Sequence, residues 1–281
     1  AHVATTIRGH QVNLPGALGY TRREPLGVCA GIGAWNYPIQ IACWKAAMAL
    51  ACGNSLVYKP SSLTPLSCLK LAEILSEAGV PDGVFNVVFG DADIGRGMSQ
   101  HPGIDKVSLT GSTTTGKKVM ADAAGTLKHV SMELGGKSPQ LVFNDADLDA
   151  ALPFLVNAGI QNAGQTCSAS SRILVQRGVY DDVVARMAKR YGELRVGPAG
   201  DDLDLGPLVS LRQKEIVEGF LARGADLNEV AVGAVAPDAP IGGAYVPPTL
   251  FADVDPNHEL AQQEIFGPVQ VVIPFDTEED A

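Results

Sequence analysis

The sequence has little charge and no basic cluster. Charged side chains make up 19% of the 281 residues, below the roughly 25% typical of soluble domains. Lysine and arginine number 21 against 31 aspartates and glutamates, which gives a net charge of −10. Because an acidic chain does not attract phosphate backbones, we expect no nucleic-acid partner. The low charge also indicates heavily buried elements, as in a parallel sheet covered on both faces.

Long apolar runs are absent as well. The longest stretch, residues 38–53, is interrupted by Lys45, whereas a membrane-spanning helix needs about 20 apolar residues. The first ten residues lack the apolar core of a signal peptide. We therefore expect no membrane partner and predict a cytoplasmic location.

The cysteines and histidines form no recognisable ligand pattern. The five histidines are scattered, and the five cysteines show no CxxC spacing. An odd number of cysteines argues against a disulfide framework, and a reducing compartment fits best. Neither a disulfide nor a metal site is predicted.

Strand-like and helix-like patterns alternate along the chain. Short apolar runs precede helix-like stretches at three early points: residues 26–32, 55–58 and 106–109. This alternation predicts βαβ units and an α/β fold. Residues 7–22 resemble a hairpin, and Thr64-Pro65 predicts a capped helix start. A second α/β set begins after Leu134, which predicts a domain boundary there.

Two glycine-rich segments come close to nucleotide-binding motifs without matching them. Gly111–Lys118 fits the P-loop pattern except at Lys118, which stands where a hydroxyl should hold Mg²⁺. The segment remains a strand-turn-helix whose N-terminus can face a phosphate, or simply a solvated turn. The dinucleotide pattern GxGxxG is also incomplete, because Asn36 follows Gly31 and Gly33 in place of the third glycine.

Four single residues carry potential chemistry, each with a plainer alternative. Cys167 lies in a loop of small residues, where it is either a nucleophile or an inert thiol. Glu133 ends an apolar strand, where a buried carboxylate would have a raised pKa and act as a base, or would pair with Lys137. Asn36 is either an oxyanion donor or a turn residue. Lys59 follows a strand and either reaches ribose hydroxyls or lies on the surface.

Six motifs taken together resemble the aldehyde dehydrogenase superfamily, and two further stretches, residues 20–29 and 40–45, resemble its betaine-aldehyde dehydrogenase branch. The six motifs occur in the family's order: Trp35-Asn36-Tyr37-Pro38, Lys59-Pro60-Ser61, Leu109-Thr110-Gly111-Ser112, Glu133-Leu134-Gly135-Gly136-Lys137, Gly164-Gln165-Thr166-Cys167 and Glu264-Ile265-Phe266-Gly267-Pro268.

The resemblance implies a domain plan. Residues 1–22 would form an oligomerisation hairpin, residues 23–134 part of a Rossmann-like NAD(P)-binding domain, and residues 135–281 part of a catalytic α/β domain. It also implies a homodimer or homotetramer, and an internal segment of a longer protein, truncated at both ends. The first residue is Ala1 rather than Met, and residues 275–281 resemble a capped helix start, which agrees with that expectation.

The resemblance further implies the catalytic roles. Cys167 would attack an aldehyde to give a thiohemiacetal, and Asn36 would help to hold its oxyanion. Hydride transfer would leave a thioester, which Glu133 would hydrolyse by activating water. Lys45 matches a lysine near the proton route of that base. The product is a carboxylic acid.

The implied cofactor is NAD, with NADP possible. Lys59 and Glu264 match the residues that hold its two riboses. The rest of the matching set is Ser61, Ser62, Gly111, Ser112, Gly116 and Phe266. Many NAD-preferring relatives carry glutamate at the position of Ser62, which would repel the 2′-phosphate of NADP. Ser62 cannot repel it, so the sequence predicts tolerance of NADP.

The implied substrate is a small-molecule aldehyde whose identity stays open. Tyr37 and Trp44 would supply two walls of a pocket. An aromatic cage suits a trimethylammonium group. Gln161 stands where the betaine-aldehyde branch often has an aromatic residue, so betaine aldehyde is one candidate among others.

Three alternatives remain. A CoA-acylating semialdehyde dehydrogenase would share the fold, but such relatives lack the base that Glu133 matches. A P-loop nucleotide-binding protein is disfavoured by Lys118. A non-catalytic binding protein on the same fold is the third.

Overall fold

The computed structural model describes residues 6–281, which form two compact units. The first ends at Leu134 and the second comprises Gly135–Ala281. The division between the two units therefore falls after Leu134, where the sequence pattern begins a second α/β set.

The first unit contains an antiparallel hairpin and a five-stranded parallel sheet. Its strands are β1 (Gln11–Leu14), β2 (Ala17–Tyr20), β3 (Val28–Ile32), β4 (Ser55–Lys59), β5 (Phe85–Val87), β6 (Lys106–Thr110) and β7 (His129–Glu133). β1 and β2 form the predicted hairpin. The sheet has the order β5-β4-β3-β6-β7. The chain thus runs outward from β3, then returns to place β6 on the other side of β3, which is the Rossmann arrangement with its switch point between β3 and β6.

Four helices connect these strands, and α1 shows how the sequence positions them. The helices are α1 (Pro38–Ala51), α2 (Leu66–Glu77), α3 (Ala92–Gln100) and α4 (Thr113–Ala124). α1 begins at Pro38, whose fixed φ suits a first helical turn. Its small side chains Ala42 and Ala46 are buried against the sheet, whereas Met48 is exposed. Small residues on the inner face let the helix approach the strands closely.

The second unit contains seven strands, five of which form its main sheet and two a separate parallel pair. Its strands are β8 (Pro139–Val142), β9 (Arg172–Gln176), β10 (Arg195–Val196), β11 (Asn228–Val232), β12 (Ala234–Val235), β13 (Thr249–Ala252) and β14 (Val269–Phe275), and its helices are α5 (Leu148–Ile160), α6 (Tyr180–Glu193), α7 (Leu211–Arg223) and α8 (Glu259–Gln262). The order is β11-β13-β14-β9-β8, with only the β11–β13 pair antiparallel. β14 lies in the middle and is almost entirely buried. The predicted α/β class with a Rossmann-like parallel sheet and a second α/β domain is confirmed.

The structure corrects one predicted helix start. The helix after β4 begins at Leu66, not with Thr64 as its cap and Pro65 as its first residue. The Thr64 hydroxyl instead donates to the Trp35 carbonyl at 3.2 Å. The Thr64 hydroxyl therefore bonds to a carbonyl 29 residues away instead of capping the helix.

The sequence patterns also fail to predict β11 and β13. β13 has four residues, and β11 carries an irregularity between Glu229 and Ala231. Neither is long or regular enough to show the two-residue periodicity of a strand. Near the end of the chain, residues 278–280 form a turn and not the predicted capped helix start, although the bonds of a cap are made: the Thr277 N–H donates to Asp280 Oδ2 at 2.8 Å, and the Asp280 N–H donates back to Thr277 Oγ1 at 3.3 Å.

Candidate active site

Parallel strands bring four of the predicted residues of the first unit to one edge of its sheet. Asn36 follows β3, Lys59 ends β4, Ser112 follows β6 and Glu133 ends β7. Because these strands are parallel, their carboxyl ends share an edge. Ligands of open α/β sheets bind outside this edge, at the switch point.

Lys59 is a buried cation at this edge. Its side chain is 8% exposed. Burial lowers its pKa, while the negative charge of Asp91 acts in the opposite direction. Nζ donates to the adjacent Pro60 carbonyl at 3.3 Å. In the turn that follows, Ser61 Oγ accepts from the Leu63 N–H at 3.3 Å, and Ser62 is exposed.

Lys45 links α1 to the middle of β6. Its Nζ donates to Ser108 Oγ on β6 at 2.8 Å. Burial lowers the pKa of Lys45 to about 8, with the nearby charge of Glu133 opposing the shift. A lysine in this pKa range can exchange protons near neutral pH. Glu133 itself is exposed rather than buried.

The glycines of this edge are explained by packing inside the protein. Gly116 lies in the first turn of α4, and a Cβ there would overlap the Leu134 side chain. A Cβ on Gly33 would overlap the hydroxyl of Tyr58.

Ser112 is the N-cap of α4, since its hydroxyl accepts from the Thr115 N–H at 3.2 Å. Gly111, at the end of β6, donates its N–H to the Glu133 carbonyl at 3.0 Å.

The predicted oxyanion and pocket residues flank the start of α1. Asn36 and Tyr37 are half-buried in the bend between β3 and the helix. The Tyr37 carbonyl accepts from the Ile41 N–H at 2.9 Å, which closes the first helical turn. Trp44, one turn further on, is 52% exposed.

In the second unit, Cys167 is exposed, on a loop in which the four residues before it, 163–166, are buried. Gln165 is 3% exposed. Its Oε1 accepts from the Val209 N–H at 2.9 Å, and its Nε2 donates to the Asn162 carbonyl at 2.9 Å. The Thr166 hydroxyl donates to the carbonyl of Gln161 at 3.3 Å. These bonds fix the backbone just before the thiol.

The same loop has an unusual backbone. Asn162 and Ala163 have φ of 51° and 54°, and Gly164 has φ of 75°. A Cβ on Gly164 would overlap the backbone of Gly267 and Pro268. Glycine is therefore required there both by its left-handed conformation and by the close approach.

Glu264 and Phe266 lie in the segment that this loop approaches. Burial raises the pKa of Glu264, while the Gly136 N–H, 3.4 Å from Oε1, and the positive charge of Lys137 act to lower it. A Cβ on Gly135 would overlap the Glu264 carboxylate. Phe266 has φ of 58°, and Gln213 Nε2 donates to its carbonyl at 3.0 Å.

Lys137 completes this buried polar group. Burial, followed by the charge of Arg172, lowers the pKa of Lys137 to about 8, and Glu264 opposes the shift. Among the described residues Nζ has no hydrogen-bond partner.

Gln161, the third predicted pocket residue, lines an open cavity of about 510 Å³. Other lining residues are Asn157, Asp204 and Leu205. Both polar and apolar groups thus face the space on this side of the cysteine loop.

Residues 6–281 contain no group of three or more histidine, cysteine or acidic side chains placed to hold a metal ion. Within the same range, every helix is too short or too polar to cross a membrane.

Comparison with known proteins decides the family. The profile of the aldehyde dehydrogenase family matches residues 1–281. This chain belongs to the aldehyde dehydrogenase family. The predicted resemblance is therefore confirmed across the whole chain.

Solved aldehyde dehydrogenase structures superpose closely on it. A Burkholderia cenocepacia protein assigned to the aldehyde dehydrogenases is 47% identical with a TM-score of 0.96, covering 98% of this chain and 59% of that chain. A variant of aldehyde dehydrogenase C from Pseudomonas syringae, in complex with NAD+ and octanal, is 39% identical with a TM-score of 0.89, covering 98% and 57%. Betaine aldehyde dehydrogenase from Staphylococcus aureus, in complex with NAD+, is 34% identical with a TM-score of 0.90, covering 99% and 56%. The chain thus spans under two thirds of these relatives.

Sequence patterns missed the residues that support the cysteine loop and the Glu264 segment. Gln165 and Gln213 make their key hydrogen bonds to Val209 and Phe266, which lie 44 and 53 residues away. Gln165 belongs to a quoted motif and is a buried amide between Gly164 and Thr166, whereas Gln213 lies between two charged residues and carries no local signal. Their function becomes visible only when the folded chain supplies the partners.

Proposed function

We propose that the protein containing this chain is an NAD(P)-dependent aldehyde dehydrogenase, an oxidoreductase that converts a small-molecule aldehyde into a carboxylic acid. The observation that carries the proposal is the exposed thiol of Cys167, which directly follows the buried, hydrogen-bonded residues Gln165 and Thr166. A nucleophile must be reachable, and it must be held in one orientation. Family membership supplies the reaction class.

In the proposed mechanism, the Cys167 thiolate attacks the aldehyde carbon and forms a thiohemiacetal. The side-chain amide of Asn36 and the Cys167 N–H stabilise its oxyanion. Loss of hydride converts this intermediate into a thioester. Glu133 takes a proton from water, which attacks the thioester, and the carboxylic acid leaves as the Cys167 sulfur is released. Lys45, with a pKa lowered to about 8 and its charge near Glu133, suits a relay that returns the proton of that base to solvent.

NAD(P)+, when bound, supplies the hydride acceptor. The residues present fit such a group. Lys59 is a buried cation at the carboxyl edge of a Rossmann sheet, where it can donate to ribose hydroxyls. The capped start of α4 at Ser112 can face a phosphate. Glu264 is the proposed acceptor for the second ribose, and the NAD+ complexes of the Pseudomonas and Staphylococcus relatives support NAD.

The aldehyde itself is proposed only as a class. The Pseudomonas relative is in complex with octanal, and the Staphylococcus relative is a betaine aldehyde dehydrogenase. Tyr37 and Trp44 are proposed as apolar walls for the substrate, with Gln161 as a polar one. Replacing Gln161 with Trp tests the cage for a trimethylammonium group, because a gain with betaine aldehyde is expected only if Gln161 faces the substrate.

The decisive experiment replaces the nucleophile in the intact protein. Reduced cofactor is followed with a panel of aldehydes for wild type, Cys167→Ala and Cys52→Ala. Cys52 is a partly buried thiol of the first unit and serves as the matched control. We expect Cys167→Ala to lower kcat by about 10⁴-fold or more and Cys52→Ala to leave it within about twofold.

Four other results would each count against this mechanism. Equal loss in both cysteine variants would point to instability. Turnover only with CoA would identify a CoA-acylating enzyme. Binding of Mg-ATP without any aldehyde oxidation would favour the P-loop alternative, and a folded protein inactive in every assay would favour a binding function.

Cofactor choice is tested at Ser62. We propose that this exposed residue permits NADP as well as NAD, because it carries no charge to repel the 2′-phosphate. Ser62→Glu is expected to lower kcat/KM for NADP by about tenfold and to change that for NAD by less than about twofold, since only the 2′-phosphate meets the new charge. Wild-type protein with no NADP turnover would refute the tolerance.

We also propose that the hairpin region, residues 1–22, takes part in a homodimer or homotetramer. The described part of this hairpin exposes four large apolar side chains: Val12, Leu14, Leu18 and Tyr20, each more than half exposed. Apolar groups clustered on an exposed strand pair favour association. Light scattering of the intact protein tests the proposal, with Leu18→Lys expected to shift the mass towards monomer. The cytoplasmic location stays a prediction.

A further inference from the structure

Gln270, a residue outside every family motif quoted above, is a fully buried polar side chain at the second position of β14. Its exposed fraction is 0%. Neighbouring β14 residues are apolar. An uncharged amide in such a place is unfavourable unless its donors and acceptor are all satisfied. The hydrogen bonds that satisfy it therefore indicate what it does.

The amide of Gln270 joins three separate segments. Nε2 donates to the Ser170 carbonyl at 2.8 Å and to the Leu155 carbonyl of α5 at 3.0 Å. Oε1 accepts from the hydroxyl of Tyr191 on α6. All three polar positions of the amide are used. One of these hydrogen bonds goes to the loop that carries Cys167, because Ser170 lies three residues after Cys167.

The surrounding chain is shaped to admit this side chain. A Cβ on Gly159 of α5 would overlap the Gln270 amide. Tyr191 is fully buried beside it, and burial raises the pKa of its phenol. The neutral hydroxyl is therefore a permanent donor. Next to the Ser170 bond, the Val271 N–H donates to the Ser171 carbonyl at 3.0 Å.

We propose that Gln270 is a positioning residue for Cys167: it holds the C-terminal side of the cysteine loop on β14, as Gly164 and Gln165 hold the N-terminal side. The loop is thus clamped on both sides of the thiol. A displacement of about 1 Å in a reacting group can cost up to about 10²-fold in rate. The catalytic part of this inference rests on the proposed function, whereas the clamping part does not.

The test compares variants that remove different bonds of the same amide. Gln270→Met keeps the volume and removes every bond. Gln270→Glu keeps an acceptor for Tyr191 and loses both Nε2 donors. Tyr191→Phe is the matched control, because it removes the third bond and leaves the Ser170 bond intact. Gly159→Ala displaces the same amide from the α5 side.

Two readouts are taken on the intact protein. Amide hydrogen exchange of residues 161–171 reports the order of the loop without requiring activity. Steady-state kinetics report kcat and the KM for NAD+. We expect Gln270→Met, Gln270→Glu and Gly159→Ala to speed exchange of the loop and to lower kcat about tenfold, with KM for NAD+ within about twofold. Tyr191→Phe is expected to lower Tm but to keep wild-type loop exchange and kcat.

The outcomes separate positioning from general stability. Wild-type loop exchange in Gln270→Met would overturn the proposal. So would losses in Tyr191→Phe equal to those in Gln270→Met, because that control spares the loop. If Gln270→Met fails to fold, the loop exchange and kcat of Gln270→Glu and Gly159→Ala decide whether Gln270 positions the loop. A wild-type protein that oxidises no aldehyde would refute the proposed function, while hydrogen exchange would still decide whether Gln270 holds the loop.

Discussion

The two units hold their candidate residues in different ways. In the first, Asn36, Lys59 and Glu133 lie at or just beyond the ends of parallel strands, so regular backbone brings them to one edge. In the second, Cys167 sits on an irregular loop held by side-chain amides. Among the described non-glycine residues with positive φ, one belongs to the first unit and five to the second.

The difference teaches where precision comes from. A parallel sheet places its strand ends through repeated backbone hydrogen bonds, so no single side chain decides the position. The cysteine loop lacks such a ladder, and three of the five left-handed residues are in it or in the segment beside it: Asn162, Ala163 and Phe266. Left-handed conformations persist only where surrounding contacts impose them. The loop is therefore the part most sensitive to single substitutions.

The largest expected effect comes from adding one methyl group to Gly164. Gly164→Ala introduces a Cβ that overlaps the backbone of Gly267 and Pro268. Gly79 is the matched control, since its φ is 85° and a Cβ there meets nothing within 4 Å. We expect Gly79→Ala to lower the free energy of unfolding by about 1 kcal/mol, and Gly164→Ala by about 3 kcal/mol or more with loss of activity. Chemical denaturation and kinetics measure both, and equal effects would break the comparison.

Two buried lysines, one in each unit, give an intermediate effect. Burial lowers the pKa of Lys45 and of Lys137 from 10.5 to about 8. Between these pH values the unfolded chain binds more protons than the folded one, so stability rises with pH across this window. Lys45→Met and Lys137→Met are each expected to flatten that rise by about 1 kcal/mol, allowing for solvent screening. Chemical denaturation of each variant at pH 7 to 10.5 measures this change in the rise of stability with pH.

The same lysines are expected to differ at pH 7. Lys45→Met loses the Ser108 bond and the attraction of Glu133, so it should destabilise by about 1 kcal/mol. Lys137 Nζ is buried and lacks a hydrogen bond among residues 6–281, so Lys137→Met should be neutral or stabilise by about 1 kcal/mol. If Lys137→Met were instead the more destabilising variant, Lys137 would be better stabilised by its surroundings around Glu264 than Lys45 is by Ser108 and Glu133.

The smallest expected effect concerns Leu127, the left-handed residue of the first unit. Its φ is 52° and its side chain is 92% exposed. Leu127→Gly relieves the backbone strain and loses little packing, against some extra entropy of the unfolded chain. We expect a gain of about 0.5 kcal/mol in thermal denaturation. Ala163→Gly makes the same change in the cysteine loop, where the loss of a buried methyl group should cancel the stability gained by relieving the backbone strain.

Much of the fold follows from local patterns. The hairpin and the strands β3, β4 and β6 are visible as short runs in the sequence, because the residue pattern of a hairpin or strand repeats within a few positions. Thr64 shows the limit: its local sequence predicts a cap, but the Trp35 carbonyl, 29 residues away, takes its hydroxyl. Short strands such as β13 carry too few residues to show any period.

The sequence by itself determined the family, through six ordered motifs, and with it the residues proposed for chemistry: Cys167, Glu133, Asn36 and Lys59. Tertiary structure alone decided what supports them. Gly33 is required by Tyr58, Gly164 by Gly267 and Pro268, and Gly159 by Gln270. The physical reason is that a motif records the identity and order of residues, whereas packing joins segments as far apart as Leu155 and Gln270, whose hydrogen bond spans 115 positions. Such partners exist only once the chain has folded.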